Sequence, residues 1–227
     1  MSTKAVIFDL DDTLISEVAY AESGYKIVAN VINKKYALDK DAGQIFKELL
    51  DLFNADHKNV FNRFLKENGL SDDWDSVMEL VGAYREHLPE IEYFDDVRPA
   101  LKELRERKII TGILSDGYSV TQRQKIRALG AENDFDIIVL TDELGRDAWK
   151  PSPEGFRVIG EKYGLSPDEI LYVGDNPKKD FYLSKSAGIK TVRIKREKGV
   201  YNNESYYEGV KEDHSIDSLL DLLRIIE

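Results

Sequence analysis

Ala5-Val6-Ile7-Phe8 runs directly into Asp9-Leu10-Asp11-Asp12-Thr13. Four consecutive apolar residues rich in β-branched types predict a strand buried on both faces, and the aspartates mark where that strand reaches solvent. In an open parallel sheet, ligands bind in the crevice outside the carboxyl ends of the strands, so Asp9 and Asp11 stand where chemistry is expected. Two acids spaced this way can bring a side chain and a backbone carbonyl to the same hard cation. The same residues also suit a capped turn, and this stretch by itself leaves the two readings level.

The rest of the chain is organised in two textures. From Ser16 to Glu92 apolar residues recur at helical spacing, as in Ile27-Val28-Val31-Ile32, Ile45-Leu49-Leu52-Phe53, Val60-Phe61-Phe64-Leu65 and Val77-Met78-Val81-Tyr84, with no strand among them. This block reads as an all-helical insert, 16–92, in an α/β core made of 1–15 and 93–227. After Pro89–Asp96 the rhythm alternates. A helix over Val97–Arg107 precedes a strand over Ile109–Leu114, and a helix over Ser119–Leu129, with Ser119 and Gln122 as a capping box, precedes a strand over Ile137–Leu140. A helix opening at Ser152-Pro153 and ending before Gly164 follows. Next come a capping box at Ser166–Glu169, a strand over Ile170–Val173, a helix over Pro177–Ala187 and a strand over Thr191–Ile194. Arg196–Asp213 reads as a lightly packed surface loop and Ile216–Ile226 as a closing helix. Strand-helix alternation implies a doubly wound, mostly parallel sheet with helices on both faces and right-handed crossovers, so the strand ends converge on one edge.

Composition narrows the chemistry. At 42% hydrophobic content, the 227 residues can build a substantial core. With no cysteine, disulfides and thiolate metal sites are excluded, and a metal must be held mainly by oxygen, which favours Mg²⁺ or a similar hard ion. A net charge of −11 disfavours nucleic acid and anionic membranes as partners. The N-terminus lacks the pattern of a signal peptide and no run reaches transmembrane length, so the expectation is a cytoplasmic protein, monomeric by default.

Each core strand ends in a short polar cluster. The first supplies Asp9 and Asp11. The second supplies Ser115-Asp116-Gly117, a hydroxyl and a turn whose amides can face an anion. After the third comes Lys150-Pro151, one ammonium before a helix start. After the fourth comes Gly174-Asp175-Asn176-Pro177-Lys178-Lys179-Asp180, two further carboxylates with a glycine for close approach. Taken together and in order, these segments resemble the four motifs of the haloacid dehalogenase-like hydrolase superfamily, and the helical block resembles its small C1-type cap. Motifs and cap account for nearly the whole chain, with no departure at a motif position.

The resemblance implies a Mg²⁺-dependent phosphatase of a small phosphorylated metabolite, a sugar phosphate or similar monoester. Asp9 would be the nucleophile that forms an aspartyl-phosphate, and its other oxygen a metal ligand. Asp11 would give its backbone carbonyl to the metal and its side chain as general acid and base. Ser115, with amides near Asp116 and Gly117, would bind phosphoryl oxygens, and Lys150 would offset charge on nucleophile and phosphoryl group. Asp175 would be a second carboxylate on Mg²⁺, with Asp180 behind it holding either metal-bound water or Lys150. An acid at Asp11 separates the family's phosphatases and phosphomutases from its dehalogenases. A phosphomutase of the same fold is the alternative enzyme, and a phospho-acceptor binding module the alternative class.

Other residues keep two readings. Thr13 steadies the turn after the nucleophile, and Asp12 shares that role or has none beyond it. Asn176 orients a metal ligand or begins a helix. His57, His87 and His214 have no metal-ligand spacing and are read as structural or surface residues. Lys34-Lys35 and Lys178-Lys179 are read as solvated charge pairs. Tyr20, Lys58, Arg63, Tyr84 and Arg85 are the cap's candidate substrate contacts.

Overall fold

The structure, a computed structural model, describes residues 2–226. The chain divides into two compact units, one made of the segments up to Val18 and from Ile91 onward, the other of Ala19–Glu90.

The Ala19–Glu90 unit is helical throughout its regular structure. Helix α1 (Glu17–Lys35) leads the chain into it and is followed by α2 (Ala42–Ala55), α3 (Val60–Glu67) and α4 (Trp74–Glu86). Val28, Ile32, Ile45, Leu49, Phe64 and Leu65, all apolar at helical spacing, meet in one core. Asp41 and Gln44 close the start of α2 reciprocally, each side chain accepting the other's backbone N–H at 2.8 and 2.9 Å. Arg63, a candidate substrate contact, donates to the carbonyls of Leu52 and Asp56 at the end of α2. His87 is buried between Ser23 and Tyr84 and is structural.

The other unit is built on six parallel strands: β1 (Ala5–Phe8), β2 (Ile110–Ser115), β3 (Ile137–Leu140), β4 (Ile170–Gly174), β5 (Lys190–Ile194) and β6 (His214–Ile216). Their order is β3-β2-β1-β4-β5-β6. This is an α/β, doubly wound parallel sheet with β1 inside it, paired to β2 on one side and β4 on the other. Val6 and Phe8 enter a core with Ile113, Val173 and Val192, while Ala5 and Ile7 enter a second core with Leu114, Val139 and Tyr172. Both faces of β1 are therefore covered, which is why its sequence does not alternate. Helices α5 (Val97–Glu106), α6 (Ser119–Leu129), α7 (Glu154–Tyr163) and α8 (Leu183–Ala187) supply the cover. Strand order reverses direction at β1, so the crevice between the carboxyl ends of β2, β1 and β4 is the natural site.

Four local expectations are corrected. The helix expected over 177–187 is confined to α8, because Asn176-Pro177 opens a turn whose amides bind side chains. The closing helix is replaced by β6 and a 3₁₀ segment, Leu219–Arg224. His214-Ser215-Ile216 is too short and polar to announce a strand, and its pairing to β5 is a tertiary effect. Ser119 and Gln122 form no capping box: Ser119 N–H goes to Asp142, and Gln122 turns into the site. The 196–213 segment is tied down rather than lightly packed. Val200 N–H reaches Asp12, the Arg196 guanidinium pairs with Asp96, and the buried Arg193 holds Tyr201, Asn202 and Tyr206.

Candidate active site

Asp9 continues the sheet by one residue, its N–H donating to the Val173 carbonyl at 2.8 Å. Its side chain is fixed in the crevice at 3% exposure, with Oδ1 accepting from Leu10 N–H at 2.9 Å. Lys150 Nζ lies 3.0 Å from the same oxygen, and Lys179 Nζ 3.8 Å from Oδ2. Burial works to raise the Asp9 carboxyl, but the two ammonium groups outweigh it and hold the acid below its ordinary range.

Lys150 has no exposed side-chain surface. Its ammonium donates to the Tyr172 hydroxyl at 2.5 Å and ion-pairs with Asp9 Oδ1 and Asp180 Oδ1, each at 3.0 Å. Against the cost of burial, Asp180 and Asp9 keep it charged and raise it further. Asp180 is equally committed, its Oδ1 also accepting from Tyr172 OH and its Oδ2 from Asn176 N–H at 2.8 Å. Gly174 makes that approach possible, since a Cβ there would lie 2.5 Å from Asp180 Oδ2. Asn176 Oδ1 in turn accepts Lys178 N–H, so this side chain shapes the turn.

Asp175 completes the acidic group. Oxygens of Asp9, Asp175 and Asp180 come within 4.8 Å of one another. Among the described residues nothing hydrogen-bonds or ion-pairs with the Asp175 carboxylate, although it is 6% exposed. Burial, then the charges of Asp180 and Asp9, push it well above the ordinary carboxylate range. A buried, unpartnered carboxylate beside another acid is a donor set that suits a hard cation.

The remaining residues of the motifs also gather here. Ser115 is buried, its Oγ accepting from Gln122 Nε2 at 3.1 Å. Asp116 braces two segments: its Oδ1 accepts from Thr141 Oγ1 at 2.8 Å and from Lys150 N–H at 3.1 Å. Gly117 takes φ +120°, a conformation open to glycine, as the chain turns toward α6. Asp12 sits in the left-handed region at φ +48°, its carboxylate receiving Glu17 N–H and Val200 N–H. Thr13 contributes its carbonyl, which accepts from Arg196 at 2.7 Å, rather than its buried hydroxyl.

The family model described as haloacid dehalogenase-like hydrolase matches residues 6–194. The chain belongs to this family. A glyceraldehyde 3-phosphate phosphatase from Methanopyrus kandleri is 30% identical over 98% of this chain and 97% of its own length. A protein of the same name from Pyrococcus furiosus is 31% identical over 99% and 93%. The crystal structure of a HAD phosphatase from Thermococcus onnurineus superposes with a TM-score of 0.63 at 26% identity, covering 98% of this chain and 97% of that one.

Three side chains of this haloacid dehalogenase-like hydrolase enter the site without having been expected there. Lys179 is not a solvated charge: its ammonium faces Asp9 Oδ2 and, at 3.5 Å, Asp116 Oδ2. The Asn-Pro pair that opens the turn is the signal that could have sent residue 179 back toward β1. On α6, Lys125 Nζ pairs with both oxygens of Asp11 at 2.7 and 2.8 Å, and Gln122 Nε2 donates to Asp11 Oδ2 at 2.9 Å. Both are buried polar residues on the helix face that carries Ile126, and that misplaced polarity was the available signal. Glu17 belongs to the same electrostatic neighbourhood. Burial, then the charge of Asp11, raise it to about 7.

Proposed function

We propose that the protein is a Mg²⁺-dependent phosphatase acting on a small phosphate monoester through an aspartyl-phosphate on Asp9. The observation that carries this reading is the buried Asp9–Lys150–Asp180 arrangement, in which a locked ammonium 3.0 Å from Asp9 keeps that carboxylate ionised. An ionised, immobilised carboxylate beside a fixed cation is a nucleophile prepared for an anionic electrophile. The relatives named as glyceraldehyde 3-phosphate phosphatases, alike over nearly the full chain, support a three-carbon sugar phosphate as the first substrate to try.

Asp9 attacks phosphorus, forming the carboxylate O–P bond as the bond to the leaving oxygen breaks and its electron pair departs on the alkoxide. Asp11 gives that alkoxide a proton. It then takes one from water as the water oxygen attacks phosphorus, breaking the acyl phosphate and restoring Asp9. Ser115 binds a phosphoryl oxygen together with backbone amides near Asp116 and Gly117. Asp9, Asp175 and the backbone carbonyl of Asp11 would hold the metal, while Asp180, both of its oxygens already engaged, secures Lys150. Bound there, Mg²⁺ supplies neutralisation of phosphoryl charge.

The test is phosphate release from sugar, nucleotide and three-carbon phosphates and p-nitrophenyl phosphate, with Mg²⁺ or EDTA, by the wild type and Asp9→Asn. Mg²⁺-dependent release that disappears in the variant is the expected result. Release that survives in Asp9→Asn would remove Asp9 as nucleophile.

A further inference from the structure

Two ammonium groups face the two oxygens of Asp9, and they are not equivalent. Lys150 is fully buried, ion-paired to Asp9 and Asp180 at 3.0 Å each and hydrogen-bonded to Tyr172 OH, so it is a fixed charge locked behind the nucleophile. Lys179 stands at ion-pair distances, 3.8 Å from Asp9 Oδ2 and 3.5 Å from Asp116 Oδ2, both longer than a good N–H···O hydrogen bond. Its donors are thus held next to the nucleophile by charge rather than consumed by it. A phosphorus atom in line for attack must come within about 3–3.5 Å of an Asp9 oxygen. Its non-bridging oxygens then fall within reach of an ammonium already beside that carboxylate.

We propose that Lys179 is a second phosphoryl-binding group, donating directly to the transferring phosphate while Lys150 serves as the fixed charge behind the nucleophile. This deepens the phosphatase reading and rests on it. Asp116 then has a further role: besides bracing Thr141 and Lys150, its Oδ2 draws the Lys179 ammonium toward the end of β2, beside Ser115.

The experiment compares wild type, Lys179→Met and Lys179→Arg. Inorganic phosphate binding is measured by calorimetry in saturating Mg²⁺, Mg²⁺ binding is measured separately, and KM and kcat are determined for p-nitrophenyl phosphate. Losing one charge-assisted hydrogen bond weakens phosphate binding by about tenfold or more in Lys179→Met. KM rises in step, and Lys179→Arg recovers most of both. Unchanged phosphate affinity in a Lys179→Met protein that retains the wild-type near-ultraviolet circular dichroism overturns the proposal. So does a variant whose only change is tighter Mg²⁺ binding, because Lys179 then merely tempers the acidic cluster. A wild type that binds phosphate through Lys179 but hydrolyses no monoester overturns the phosphatase reading instead and leaves this contact standing.

Discussion

Asp11 is held in the structure by Lys125 and Gln122, which orient its carboxylate without touching Asp9. In the proposed role of general acid it matters in proportion to how poor the leaving group is. Asp11→Asn is therefore expected to lower kcat/KM for an alkyl phosphate by about 10² to 10⁴. For p-nitrophenyl phosphate, whose phenolate departs without a proton, the loss should be much smaller. Equal losses on the two substrates would show that Asp11 does not protonate the leaving oxygen. Gly174 is a second position where one atom decides the site. The Cβ of Gly174→Ala would meet Asp180 Oδ2 at 2.5 Å and Cγ at 2.7 Å, so Asp180 must move and Lys150 loses its anchor. A cost of roughly 1–3 kcal/mol in chemical denaturation is expected, with a fall in kcat. A variant with wild-type stability and rate would mean the turn has slack that the distances do not show.

Among elements, the loop after β1 depends on a segment far along the chain. Arg196 donates to the Thr13 carbonyl and pairs in two contacts with Asp96, which also accepts from the Ser218 hydroxyl and Leu219 N–H. Burial works to raise the Asp96 carboxyl, but Arg196 and these donors hold it below the ordinary carboxylate range. A depressed carboxyl contributes stability that is present above the unfolded pKa and is lost as pH falls through the folded one. The unfolding free energy of wild type should therefore exceed that of Asp96→Asn by about 3 kcal/mol at neutral pH, and the gap should shrink below roughly pH 4. A gap that stays constant into strong acid would assign the effect to packing rather than charge. This strut also shows where sequence reading ends. β1, its four strand-end clusters and the helical block were legible because each is a local pattern: an unbroken apolar run, Asp and Gly at a strand end, a 3.6-residue period. Arg196 and Thr13 are 183 residues apart, and Lys179 turns inward only because Asn176 and Asp180 close the turn around it. Those contacts are decided by the assembled sheet, and β6 was missed for the same reason.

At the scale of the whole molecule, the chain carries a net charge of −11 and still brings Asp9, Asp175 and Asp180 oxygens within 4.8 Å of one another. Lys150 answers Asp9 and Asp180, whereas Asp175 has no hydrogen bond or ion pair among the described residues. Folding must therefore bring a carboxylate up against its own kind, and a cation bound by the folded chain offsets that cost through mass action. At a hundredfold excess over its dissociation constant, Mg²⁺ should stabilise the fold by about 2.7 kcal/mol, or roughly 5–10 °C in melting temperature for a chain of this length. Asp175→Asn separates the repulsion from the binding. In EDTA the variant should melt above wild type, because a neutral amide of the same shape relieves the crowding, and on adding Mg²⁺ it should gain little. Ca²⁺ is a useful control, since a site restricted to a few oxygens in compact geometry should discriminate against the larger ion in turnover even if it binds. Were Asp175→Asn to melt below wild type in EDTA and still shift fully with Mg²⁺, the carboxylate would be a structural member of the fold, and the cation would have to be held by Asp9 and its neighbours without it.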